Sequence, residues 1–180
     1  MAGIVNLSVQ VDGQEIEQKF ATWGASISDL SPAFEQIAGD LRADFMQNMI
    51  AEGGYFGGTR SYLGAAGGAW QPLRPSTVRE RERLGYGGEH PILWRTGLLA
   101  RSLAEQGAAG NVSEIGAMSM TVGSDLPYSV FHQRGRRDGK MPARPIVGLS
   151  WNRRSGIVRR IGDFIREKAR IAGLQAGLGE

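Results

Sequence analysis

Residues 128–150, YSVFHQRGRRDGKMPARPIVGLS, admit few local structures. Pro127 precedes the stretch and suits a first helical turn, where its missing N–H has no intrahelical partner to lose. Tyr128, Val130 and Phe131 supply apolar surface, and Gly135 ends the turn. Between Gly135 and Met141 stand Arg136, Arg137, Asp138, Gly139 and Lys140, with nothing to bury, which predicts a flexible basic loop. Pro142 and Pro145 then fix φ on either side of Ala143 and Arg144 and push the residues before them toward extended geometry. Ile146, Val147 and Leu149 form a short buried run.

The rest of the chain is expected to supply strands and helices. Residues 4–11 alternate apolar Val5, Leu7, Val9 and Val11 with polar Asn6, Ser8 and Gln10, the pattern of a half-buried strand. Ile16, Phe20 and Trp23 recur at helical spacing, so residues 13–23 are expected to form a short amphipathic helix; a second strand from Gln14 is the alternative. Ser31 and Pro32 read as an N-cap and a first-turn proline. Phe34, Ile37, Leu41, Phe45 and Met49 then make one stripe, with Asp40, Arg42, Asp44 and Gln47 largely off it. Residues 53–69 are a glycine-rich tract holding Tyr55, Phe56, Arg60 and Tyr62, aromatic and cationic candidates for contact with a partner. Trp70 opens an extended segment. Ser76 or Thr77 is expected to cap a short, solvated charged helix over 78–84, and Thr96 a helix over 97–105 with Leu98, Leu99 and Leu103 for burial.

Two short strands are expected at 111–116 and 118–123, with Val112, Ile115, Met118, Met120 and Val122 facing inward. A last helix over 156–172 directs Ile157, Ile161, Phe164, Ile165 and Ala172 inward and Arg159, Asp163, Arg166 and Arg170 outward. The order implies an α+β fold, a small mostly antiparallel sheet packed with several helices and carrying long glycine-rich and basic loops. The boundaries expected are one domain over 1–172, with the glycine-rich loop at 53–69, the basic loop at 134–144, and a flexible tail at 173–180.

The charge is unevenly placed. Residues 1–52 hold 2 basic and 8 acidic side chains, whereas residues 134–170 hold 12 basic and 3 acidic. A chain acidic at one end and basic at the other can associate with copies of itself or with a complementary neighbour. No cysteine is present, so disulfides, thiolate metal sites and a thiol nucleophile are excluded. No GxxxxGK[ST], HExxH or GxSxG occurs, and there are two histidines. No cofactor, metal site or catalytic set is expected. No apolar run reaches the about 18 residues of a membrane span, and residues 1–11 lack the pattern of a signal peptide.

Three sets of residues, in order, resemble the phage virion morphogenesis (tail-completion) family of Mu-like and related tailed bacteriophages. One is Trp70, Pro72, Leu73, Pro75, Ser76 and Thr77. The next is Leu93, Thr96, Gly97, Leu99 and Ser102. The third is Tyr128, His132, Gln133, Gly135, then Pro142, Ala143, Arg144, Pro145, and Gly148, Leu149, Ser150. The resemblance runs over about residues 4–171. It implies a structural virion protein, not an enzyme: a ring-forming subunit, expected to be hexameric, at the head-proximal end of the tail. Tail tube and connector or neck proteins would be its neighbours, after assembly in the host cytoplasm. Trp70, Pro72, Thr96, Gly97, Tyr128, His132, Gly135, Pro142, Arg144 and Pro145 carry over as fold or interface positions. Bulky Trp94 and Trp151, and the extended 53–69 tract, depart from the family pattern.

Arg134, Arg136, Arg137, Lys140 and Arg144 are the expected interface or lumen cations, and removing their charge is expected to impair assembly more than folding. The competing reading is a non-specific DNA-binding protein whose arginines across 134–170 neutralise phosphates; DNA passing through a ring lumen fits both. Bidentate pairing of arginine with carboxylates across an interface is preferred. A hydrolase built on His132 is the third reading.

Overall fold

The computed structural model describes residues 13–56 and 68–174. The strand expected at 4–11, Arg60, Tyr62 and most of the tail lie outside them. The described elements are α1 (Gly13–Ile27), α2 (Ser31–Ile50), α3 (Pro75–Arg83), α4 (Leu98–Ala104), β1 (Asn111–Ile115), β2 (Met120–Ser124), α5 (Ser129–Arg134) and α6 (Trp151–Ile171). The fold is α+β, and its described sheet is one antiparallel pair in which Asn111 faces Ser124 and Ile115 faces Met120. No described helix is long and apolar enough to cross a membrane.

Helix α2 is the central element. Ile37, Leu41, Phe45 and Met49 on its stripe are buried, and Phe34 packs at the margin. α4 adds Leu99, Ala100 and Leu103, the β1–β2 hairpin lays Met120 and Val122 against them, and Phe56, Trp70, Ile92 and Ile146 complete the core. Burial of each such large apolar side chain contributes about 1.5–3 kcal/mol. Polar bonds hold the hairpin in place: Leu30 N–H donates to the Ala117 carbonyl (2.8 Å), and Asn111 Nδ2 donates to the Ser102 carbonyl (2.8 Å). Met118, expected to face inward, is 68% exposed because it lies in the tight turn between the strands.

Helix boundaries differ from expectation where a side-chain bond outweighs apolar pattern. Ser31 is the first residue of α2 rather than its cap; its N–H is held by Asp29 Oδ1 at 2.9 Å. α3 begins at Pro75, ahead of Ser76 and Thr77, because proline suits a first turn. Arg81 on α3, expected to be solvated, is 6% exposed and donates to the Pro91 carbonyl. α6 begins at Trp151, five residues before the expected start, capped by Ser150 Oγ, which accepts from Arg153 N–H at 3.1 Å.

The additional turn places Arg153 over α2. Its Nε and Nη2 donate to the two carboxylate oxygens of Asp44, each at 2.6 Å, and its Nη1 donates to Asp40 at 3.3 Å. Arg160 also pairs with Asp40, at 3.0 Å. Asp44 is therefore buried and not a solvated residue of the polar face. The Asp44 bond holds the Arg153 guanidinium above its ordinary pKa.

Residues 142–149 lie outside any described helix or strand; Arg144 N–H donates to the His132 carbonyl (2.6 Å), and side chains satisfy the backbone from Pro145 to Val147. The Pro145 carbonyl accepts from Asn48 Nδ2 (3.0 Å) and from Trp70 Nε1 (3.2 Å). Gln133 acts as the missing strand: its Oε1 accepts from Ile146 N–H (2.8 Å) and Val147 N–H (3.0 Å), and its Nε2 donates to the Val147 carbonyl (2.9 Å). Asn48 is fully buried and its Oδ1 also accepts from Phe56 N–H. Asn48→Ala strands the buried Phe56 N–H and leaves the Pro145 carbonyl with Trp70 as its remaining side-chain donor, so chemical denaturation is expected to show a loss of about 1–3 kcal/mol, the scale of one stranded group.

Candidate functional site

The glycine-rich tract is tied at its base. Trp70 N–H donates to the Glu52 carbonyl at 2.7 Å, and Gly53 adopts φ +89° beneath the Trp70 ring, where a Cβ would come within 2.4 Å of it. Phe56, expected as a partner-facing aromatic, is instead a core residue at 6% exposure, packed under Gly148. Tyr55 keeps 45% of its surface exposed while its hydroxyl donates to Asp44 Oδ1 at 2.9 Å. That bond, followed by burial, raises the Tyr55 phenol above its ordinary pKa.

The basic loop closes on itself. Arg136 N–H donates to the Met141 carbonyl (2.9 Å), and Lys140 N–H donates to Asp138 Oδ1 (3.1 Å). Arg136 pairs with Asp138 at 2.9 Å. Gly135 sits at φ +73° with its α-carbon against the returning limb; a Cβ there would lie 2.8 Å from the Ala143 nitrogen. Arg134, Arg137 and Lys140 are exposed. Arg144 is not a loop cation at all: it is 5% exposed, with Nε and Nη2 donating to the Gln71 carbonyl (3.1 and 2.9 Å) and Nη2 also to the Pro72 carbonyl (3.1 Å). Burial lowers its pKa from the ordinary value, and an arginine still remains charged.

The three sequence sets converge on one groove of about 770 Å³. One wall is the 71–74 segment with α3; the floor carries Leu93, Thr96, Leu98 and Leu99; the other wall is Tyr128, His132 and the loop from Arg136 to Arg144. Arg74, Arg81, Arg95, Arg136, Lys140 and Arg144 line it against one carboxylate, Glu80. Pro72, Thr96, Tyr128, His132 and Pro142 all belong to this lining; Trp70, Gly97, Gly135 and Pro145 shape the backbone beneath it. Arg81 and Arg95 were not among the sequence candidates. The alternating charges of α3 concealed Arg81, because charge on a short helix reads as solvated.

His132 stands edge-on to Tyr128, ring centroids 6.0 Å apart, and its buried Nδ1 has no hydrogen-bond partner among the described residues. Burial, followed by the Arg144 charge, lowers its pKa. No serine or carboxylate bonds to it among the described residues, so the hydrolase reading finds no support in the geometry. Among the described residues no group of three His, Asp or Glu side chains converges as a metal site.

The family model described as phage virion morphogenesis family matches residues 11–166. No curated protein and no solved structure matches the chain.

Two outcomes are expected. Arg144→Lys loses the fork that bridges two carbonyls and lowers stability by about 1–3 kcal/mol in denaturant titration, whereas Arg137→Ala and Lys140→Ala shift it by less than about 0.5 kcal/mol. The folded His132 titrates below the ordinary 6.5, so the unfolded chain takes up the proton first. Its stabilising contribution is present above about 6.5 and lost as pH falls through the folded value. Thermal melts of His132→Asn should show a smaller loss of stability on acidification than those of the parent protein.

Proposed function

The chain belongs to the phage virion morphogenesis family, and from that premise we propose that it completes the tail and joins it to the head as one subunit of a closed ring, expected to be hexameric. The family match over residues 11–166 is the observation that carries this reading. A virion-associated structural role follows from the family; the tail-terminal position, the ring and its neighbours are the proposal.

The physical features agree with an assembly role. The described body is held by its own core and by buried polar bonds, while exposed cations gather along the 134–140 loop. A ring subunit needs such a body together with charged surface that sets register between copies. Tail tube and connector proteins are the proposed neighbours, and DNA passing through the lumen can meet exposed Arg134, Arg137 and Lys140. The non-specific DNA-binding alternative is weakened by the inward use of Arg144, Arg153 and Arg160, which are bonded to carbonyls or carboxylates within the chain.

Light scattering across a concentration series, together with imaging of particles carrying labelled chain, tests the proposal. A discrete ring mass and label at the head–tail junction are expected. A monomer at all concentrations, with label absent from the junction, contradicts it.

A further inference from the structure

The groove contains charge that the described residues leave uncompensated. Arg81 and Arg144 are 6% and 5% exposed, yet their hydrogen bonds run to neutral carbonyls, and neither pairs with a carboxylate among the described residues. Buried arginines are ordinarily paired with acids, because an isolated charge away from water is unfavourable. Among the described residues, moreover, buried Arg81 Nε has no hydrogen-bond partner, and His132 Nδ1 in the same lining has none either. Four further cations rim the space, and Glu80 is the single acid. Leu73, Leu84 and Tyr128 add apolar wall.

We infer that this groove is the seat of an acidic polypeptide segment from a neighbouring protein, with carboxylates directed at Arg81 and Arg144 and an aliphatic side chain against Leu84. Charge complementarity selects the anion, and the recess selects its form. A carboxylate on a flexible side chain reaches guanidiniums that are almost wholly buried. The phosphates of a duplex lie on the outside of a stiff rod and meet exposed rim cations only. The apolar wall favours a peptide with aliphatic residues over a bare polyanion. That the neighbour is a particle component rests on the assembly role proposed above; the groove's preference for an acidic segment does not.

The full chain is titrated with three fluorescent probes at low and physiological salt: an eight-residue peptide alternating Glu and Leu, its Gln–Leu counterpart, and a short single-stranded DNA. The Glu–Leu peptide is expected to bind at least tenfold more tightly than the other two. Lys140→Glu on the groove rim should weaken it by about fivefold, the scale of one partly exposed ion pair. Arg159→Glu, on α6 and away from the groove, should leave it within twofold. Equal binding of the glutamine peptide, tighter binding of DNA, or equal effects of the two charge reversals overturns the inference. Ring formation is read separately by mass, so binding without a ring rejects the assembly role and keeps the groove, and a ring without binding does the reverse.

Discussion

The Pro145 carbonyl is the point on which the fold depends. A partly buried segment outside any described helix or strand must find other partners for its backbone groups, because each buried group left unpaired is unfavourable by about 1–3 kcal/mol. Asn48 from α2 and Trp70 from the end of the glycine-rich tract both donate to this one carbonyl, and Gln133 completes the pairing from α5. Three segments distant in sequence are thereby fixed to one another by side-chain amides and an indole. Arg144, one residue earlier, extends the same knot to residues 71 and 72.

The groove follows from that knot. Once residues 142–149 are tied to α2 and Trp70, the basic loop must return beside the 71–74 segment, and α3 is brought opposite Tyr128 and His132. The cations of the C-terminal half are then sorted by position. Arg153 and Arg160 join α6 to α2 through Asp40 and Asp44, using the acidity of the first segment within the chain. The charge asymmetry of the sequence is thus partly consumed in folding, and the portion left over is concentrated at the groove and the loop.

Much of this was legible in the sequence. The α2 stripe, the paired strands, the turn after Pro127 and the proline-braced segment follow from apolar period and from the fixed φ of proline. The family resemblance on three short residue sets agrees with the match over residues 11–166. What the sequence concealed are long-range polar bonds. Asn48 and Gln133 look like solvated amides because their acceptors lie 97 and 14 positions away. Arg144 and Phe56 sit in segments whose composition reads as mobile, yet each is buried by residues the local pattern does not show. The early start of α6 was hidden because Trp151–Asn152–Arg153–Arg154 has no apolar period, and Arg153 is held there by Asp44.

Amide hydrogen exchange at Ile146 and Val147 tests the central claim most directly. Their N–H groups lie outside the described helices and sheet and, among the described residues, are held by the side chain of Gln133 alone. If the knot organises the fold, both amides exchange as slowly as those in the middle of α2, through global unfolding. Exchange at the rate of an ordinary surface loop, with α2 still protected, would contradict it.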